Sequence, residues 1–363
     1  LGRARPRVPV VRARRLVRRD VRLDRLRRQV RGPFREVAQP GAAVALHTHI
    51  DGTLVIQTGT EHREASTPLV LSVGEAEPTA LERLLRAAYA AGVGTVELRA
   101  AEGFTDDQHR AVERTTRDLT GVTVTETTAE TVRVRSLLDA EEVSITQSVR
   151  QLQFAALSAH RDATAAVTGP TTVDRPAQRD GQTDRIFAMV DRYFQRGLDS
   201  LAVMDALGLT RPALFVRWVT AHELEHVAEH ARRIATVADR LDDPVEGDLG
   251  AEFESLADRS RQLVREAVAL VVDDGDTAVA RRILRDRDRL SGAIRDLDQS
   301  VFDTADAPYR LTTVLDTLDR TTDSAGRIAS MALRSRLHDG LGSETPLDVG
   351  GDTNSPSPAD TGP

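Results

Sequence analysis

The chain has 363 residues, enough for two or three domains, and its 40% apolar content suffices for ordinary hydrophobic cores. It contains no cysteine, which excludes disulfides and every cysteine-ligated zinc or iron–sulfur site, so a metal would have to be held by carboxylate, water or histidine. All 49 basic residues are arginine and the net charge is −7; residues 1–36 carry 14 arginines against Asp20, Asp24 and Glu36, leaving about −18 on the rest of the chain.

The acidic, lysine-free body, rich in Thr, Val and Asp, has the composition of proteins from salt-accumulating archaea, in which surface carboxylates hold water and salt screens their repulsion. A GC-rich codon bias is the alternative source of the missing lysine. No apolar stretch reaches the 18 residues needed to cross a bilayer and the N-terminus has no signal-peptide core, so the chain reads as soluble, cytoplasmic and not membrane-inserted.

Residues 1–40 form an arginine-rich head with poor helical spacing and no interleaved aromatics, expected to be disordered or a mis-started, out-of-frame translation. A nucleic-acid arm is the other reading, against which molar salt argues because phosphate contacts weaken steeply with ionic strength. In residues 41–60, GAAVALHTHIDGTLVIQTG places alternating apolar residues on either side of Asp51-Gly52, a hairpin signal. This segment resembles the second half of an AbrB/SpoVT swapped hairpin. The half that makes most DNA contacts in that family would fall in the arginine-rich head, so the resemblance implies DNA binding only for a complete hairpin.

Residues 61–140 read as a small α/β domain of layout βαβαββ. LVLSV is a strand, Pro78 to Ala91 a helix stopped by Gly92, TVEL a strand, Asp106 to Leu119 a helix capped by Thr105, and VTVTET with TVRVR a final β pair. Gly92 and Gly94 act as helix stop and turn, not as a phosphate loop.

From about Ser144 the period is helical. LEHVAEHARRIATVA at 224–238 returns as LDRTTDSAGRIASMA at 318–332, AHRDATAAV at 159–167 matches LVREAVALV at 263–271, and Arg179-Asp180 matches Arg285-Asp286. The offsets are 94, 104 and 106, which two three-helix units at 144–243 and 249–338 explain if they differ in the loop before the third helix. The fold class is therefore mostly α, a six-helix bundle behind an α+β N-terminal part. Residues 339–363 are a Gly-, Pro-, Ser- and Asp-rich tail expected to be disordered.

Acids at i and i+4 share a helix face and repel unless a cation lies between them, so the pairs Glu225/Glu229 and Asp319/Asp323, with Asp180/Asp184 in RDGQTDRIF, are the metal-ligand candidates. Solvated charge is the plain alternative for any one pair. The tandem units, with LExxxEHxxRIA-type third helices and an RDxxxDR second helix, resemble the PhoU family of phosphate-uptake regulators, in the haloarchaeal branch that adds a hairpin and an α/β insert. That resemblance covers about 190 residues and implies a non-enzymatic regulator of phosphate transport and signalling. It further implies metal clusters on the bundle surface, a phosphate ABC transporter or sensor protein as partner, and a homodimer. Carboxylate oxygens suit Mg, Mn or Fe, with Zn where histidine joins. One position departs from the pattern: Leu290 stands where Asp184 stands in the first unit, with Asp288 as a nearby substitute.

Three rival functions are legible. An AbrB-type transcription regulator would use the bundle to sense or dimerise. A carboxylate-bridged di-metal enzyme would need Glu-x-x-His ligation, which does not recur in the second copy. His222-Glu223-Leu224-Glu225-His226 is HExxH, the zinc metalloprotease pattern; in the second copy its His222, Glu223 and His226 become Asp316, Thr317 and Arg320, whereas the acid pair is kept. The histidines at 222, 226 and 230 then read as auxiliary ligands or surface residues. Trp218, Phe215 and Val219 fall on helical spacing and are expected in the core, and His160 is expected to be structural.

Overall fold

The computed structural model describes residues 44–48, 54–58, 67–169, 180–241, 243–303 and 310–340. The arginine-rich head, the Asp51-Gly52 turn and residues 341–363 of the acidic tail lie outside the described residues. Strands β1 (Val44–Thr48) and β2 (Leu54–Thr58) pair antiparallel, from Val44 opposite Thr58 to Thr48 opposite Leu54. The alternating residues thus form the hairpin strands expected from their period.

The α/β domain follows in the expected order: β3 (Leu69–Ser72), α1 (Pro78–Ala90), β4 (Thr95–Arg99), α2 (Asp106–Asp118), β5 (Val122–Thr127) and β6 (Thr131–Ser136). The sheet order is β3-β4-β6-β5, with β3 parallel to β4 and β6 antiparallel to both its neighbours. Proline in the first turn of α1 has no N–H to leave unpaired, and a reciprocal Thr105–Gln108 capping box starts α2. Leu81, Leu85, Val96, Leu98, Val112, Val132 and Val134 close the core between these layers.

The remainder is helical: α3 (Ile145–Thr168), α4 (Asp180–Asp199), the short α5 (Leu201–Leu207), α6 (Arg211–Ala238), α7 (Gly247–Val272), α8 (Thr277–Asp303) and α9 (Arg310–Asp339). Helix α6 packs on both α3 and α9, and α7 also packs on both α3 and α9, making a central set of four; α4 lies against α6 and α3, and α8 against α9 and α7. The extra helix α5 sits between the second and third long helices of the first unit, where the shift in repeat offset places the difference. Within the repeated phrase the same positions are buried in both copies: Leu224 and Leu318, Ala231 and Ala325, Ile234 and Ile328, Ala238 and Ala332.

Arginine joins the two parts. Arg192, on α4, is 2% exposed and donates from Nη1 to the carbonyls of Tyr89 (2.8 Å) and Val93 (3.0 Å) at the end of α1, with its guanidinium 4.9 Å from the Tyr89 ring centroid. Tyr193 donates to the carbonyl of Leu138 at 2.9 Å. Gly92 holds φ +81°, and a Cβ there would stand 2.6 Å from Cγ of Arg196, so both backbone shape and the approach of α4 demand glycine. Replacing Arg192 by leucine leaves two buried carbonyls without that donor; urea unfolding should show a loss of about 2–4 kcal/mol, hydrogen bonds to charged groups being worth about 1.5–3 kcal/mol each.

Candidate functional site

Helices α6 and α9 present the repeated acid pairs in similar settings. The Glu225 side chain is 18% exposed, whereas Glu229 is exposed; Asp319 is half-buried and the Asp323 side chain is 42% exposed. Burial, then Glu229 and Asp184, push the Glu225 carboxyl above its ordinary value, against the opposing pull of Arg232 and His222. At the twin position Asp319 is also raised, chiefly by burial; a hydrogen bond with Ser291 of α8 opposes this and Asp323 adds to it. Asp319 Oδ1 is buried with no hydrogen-bond partner. Each copy therefore sinks the first acid of its pair beside a like charge.

Each copy also contains a guanidinium, but from opposite helices. Arg232 of α6 reaches Asp184 Oδ1 of α4 at 3.1 Å and Glu225 Oε1 at 3.8 Å, so Asp184 is brought to the Glu225/Glu229 pair. The residue equivalent to Arg232 in the second copy is Gly326. Over it lies Arg287 of α8: a Cβ at 326 would meet Nε at 3.0 Å and Cγ at 3.3 Å, and Nη1 reaches Asp323 Oδ1 at 3.5 Å. The Arg232/Gly326 mismatch was the sequence signal for these arginines, and motif reading alone missed it.

The burial pattern also revises the alignment of the second helices. It pairs Asp184 with Asp288, Ile186 with Leu290, Val190 with Ile294 and Tyr193 with Leu297, at the offset already seen between the first helices. Leu290 is a core residue, 2% exposed, and matches Ile186. The twin of Asp184 is Asp288, whose side chain is 69% exposed and pairs with the adjacent Arg287 at 3.3 Å. Asp180 opens α4, but its side chain lies outside the described residues, and its counterpart in this register is Leu284.

The histidine stripe lies along α6. Ring centroids are 4.4 Å apart for His222 and His226 and 6.5 Å for His226 and His230. Burial first, then His226 and the arginines Arg327 and Arg320, lower His230 to about 4, so it is neutral at physiological pH; its Nδ1 lies 3.2 Å from Thr321 Oγ1. Glu223 turns toward α9, where Arg327 donates from Nε to Oε1 at 2.8 Å. Of the residues expected in the core, Trp218 is half-buried and packs against it, stacking on Phe194 at 4.5 Å and donating to Asp191 at 2.8 Å, whereas Phe215 is 41% exposed. His160 is fully buried, contacts Arg261 at 3.3 Å, and is lowered to about 3 by burial and then by Arg261.

No family model and no curated protein matches the chain. Among solved structures it is similar to the crystal structure of PhoU from Pseudomonas aeruginosa, at 18% identity and a TM-score of 0.38, over 53% of this chain and 96% of that one. Among the described residues, no helix is long and apolar enough to cross a membrane.

The raised carboxyls set a pH dependence. A carboxyl whose folded pKa lies above its unfolded value favours the fold below the unfolded pKa, and that contribution is lost as pH rises through the folded value. Glu225→Gln and Asp319→Asn should therefore raise the Tm at neutral pH in metal-free buffer. The gain should vanish below the ordinary values of 4.5 and 3.8, where both states of the wild type are protonated. Thermal melts at several pH values read this directly.

Proposed function

We propose that the chain is a non-enzymatic, PhoU-like regulator of phosphate uptake and signalling, in which paired carboxylates on the helical bundle bind cations and the bundle docks on a phosphate transporter or sensor. The reading is supported above all by the twin environment of Glu225 and Asp319: both are partly buried beside an acid one turn along the helix. The donors fit the ions. Glu225, Glu229 and Asp184 offer oxygens suited to Mg, Mn or Fe, His226 lies with Glu225 and Glu229 within 4.8 Å by ligand atoms, and Asp319 supplies a buried oxygen without a partner. Bound cations would relieve the like-charge repulsion in each pair and give the surface a charge dependent on metal supply.

Glu225→Gln with Glu229→Gln should lower the metal content of purified protein, and adding Asp319→Asn with Asp323→Asn should lower it further; elemental analysis showing no change would remove the metal part. Arg232→Gln should act in the opposite sense, strengthening Mn binding several-fold in calorimetric titration because the competing guanidinium is gone. Deletion in the native host should change phosphate uptake and phosphate-responsive transcripts, and a deletion strain indistinguishable from its parent in both would sink the regulatory reading.

A further inference from the structure

The HExxH segment carries an unexplained group of its own. Glu223 is 6% exposed, yet only Oε1 has a hydrogen bond, from Arg327; Oε2 is buried with no hydrogen-bond partner and lies 3.9 Å from Nδ1 of His226. A buried carboxylate oxygen without a donor is costly, and in a native fold it calls for an ion or a water to complete it. His222, one residue before Glu223 and one turn before His226, brings a third donor, and one ligand atom from each of the three falls within 4.8 Å of the others.

We propose that His222, Glu223 and His226 form a separate cation site on α6, for a divalent transition ion of the zinc, cobalt or nickel class. Two imidazoles and one carboxylate match these ions rather than Mg or Ca, which prefer all-oxygen shells. Ligands about 2.0–2.2 Å from a tetrahedral ion stand roughly 3.3–3.6 Å apart, so the three donors need only side-chain rotation to close. Both histidines are half-buried, while Glu223 is held by Arg327. Arg327 then serves as the outer partner that orients the ligating carboxylate and cancels its charge, leaving imidazole affinity to select the ion. Asp316, Thr317 and Arg320 occupy the twin positions, so the second copy lacks this donor set. His226 also belongs to the Glu225/Glu229 group, so the two sites compete for one imidazole.

Cobalt titration of the full chain, followed by visible absorption and X-ray absorption, tests the site. The wild type should bind with two imidazole nitrogens in the shell. His222→Ala should weaken binding at least tenfold and remove one of those nitrogens, as loss of even an outer partner costs about 10–100-fold; Glu223→Gln should also weaken it. Glu225→Gln with Glu229→Gln removes the competitor for His226, so cobalt should keep both imidazole nitrogens and bind no more weakly than in the wild type. Since Glu223 also touches α9, the decisive variant is His222→Ala, with its fold checked by circular dichroism. Wild-type cobalt affinity in His222→Ala, a cobalt signal lost only in the acid-pair variant, or no imidazole-ligated cobalt in the wild type would each overturn the proposal. None of these results would alter the Mn prediction for the acid pairs.

Discussion

The contact between α6 and α9 is the constraint on which the rest depends. It brings the two copies of the repeated phrase together, and both helices bury small hydroxyl residues: Thr220 on α6 and Thr317, Thr321, Thr322 and Ser324 on α9 are all fully buried. Buried hydroxyls must be satisfied, and in a helix they can return to the carbonyl one turn back. They do so here: Thr220 donates to Val216 at 2.8 Å, Thr317 to Thr313 at 2.7 Å, Thr321 to Thr317 at 3.1 Å, and Thr322 to Leu318 at 3.2 Å. Each of these short side chains reaches a carbonyl of its own helix, and Thr322 also bonds across to Ser260 of α7 at 3.1 Å. The contact between α6 and α9 also delivers Arg327 to Glu223 and Thr321 to His230.

Charge compensation follows from that frame. The body is acidic and has no lysine, so each carboxylate brought near another must find a guanidinium, a helix end, water or an ion. Arginine is long enough to serve from either helix, which is why the counter-charge comes from α6 in one unit and from α8 in the other. Gly326 makes room for the second arrangement, since a Cβ there would press on Nε and Cγ of Arg287 at 3.0 and 3.3 Å. The pairs themselves are weak anchors. Arg232 is 36% exposed and Asp184 49%, so their attraction is screened and worth about 0–1 kcal/mol, less in high salt. The divalent ion proposed for the acid pair would therefore displace the arginine at small cost, whereas Glu223, which is buried, cannot release Arg327 without leaving a charge uncompensated.

Much of this was legible in the sequence because it is periodic. Alternation at Val44, Leu46, Leu54 and Ile56 is a period of two and gave a paired hairpin; the Thr105 cap and Gly92 stop marked helix ends by local backbone rules; a phrase repeated with the same apolar phase gave twin helices. What failed was register where the motif was short. Matching Arg-Asp to Arg-Asp slid the second helices by two residues and put Leu290 opposite Asp184, while burial phase restores Asp288 to that place. Phe215 shows that helical spacing records which residues share a face, not how far that face is covered: it is left exposed, while Trp218 packs on Phe194 and donates its indole N–H to Asp191 at the rim. The counter-arginines were invisible for a related reason. A contact between α8 and Gly326 is a property of packing, and only an empty side chain in one copy hinted at it.

Helix α4 ties the acid surface to the α/β domain. Asp184 near its start meets Arg232 of α6, and the adjacent Arg185 donates from Nε to the carbonyl of Asp118 at the end of α2. Two turns on, Arg192 is buried against the last turn of α1, and Tyr193 holds the segment that links the sheet to the bundle. A helix is stiff over this length, so a change in the balance of charges at Asp184 acts on the same rigid element that seats the α/β domain. The exposed contacts, Asp184–Arg232 and Arg185–Asp118, sit near its start, and the buried ones at Arg192 and Tyr193 lie about two turns further on. The bonds at the α2 end are thus the screened and weaker ones, and Arg192 is the buried anchor of α4.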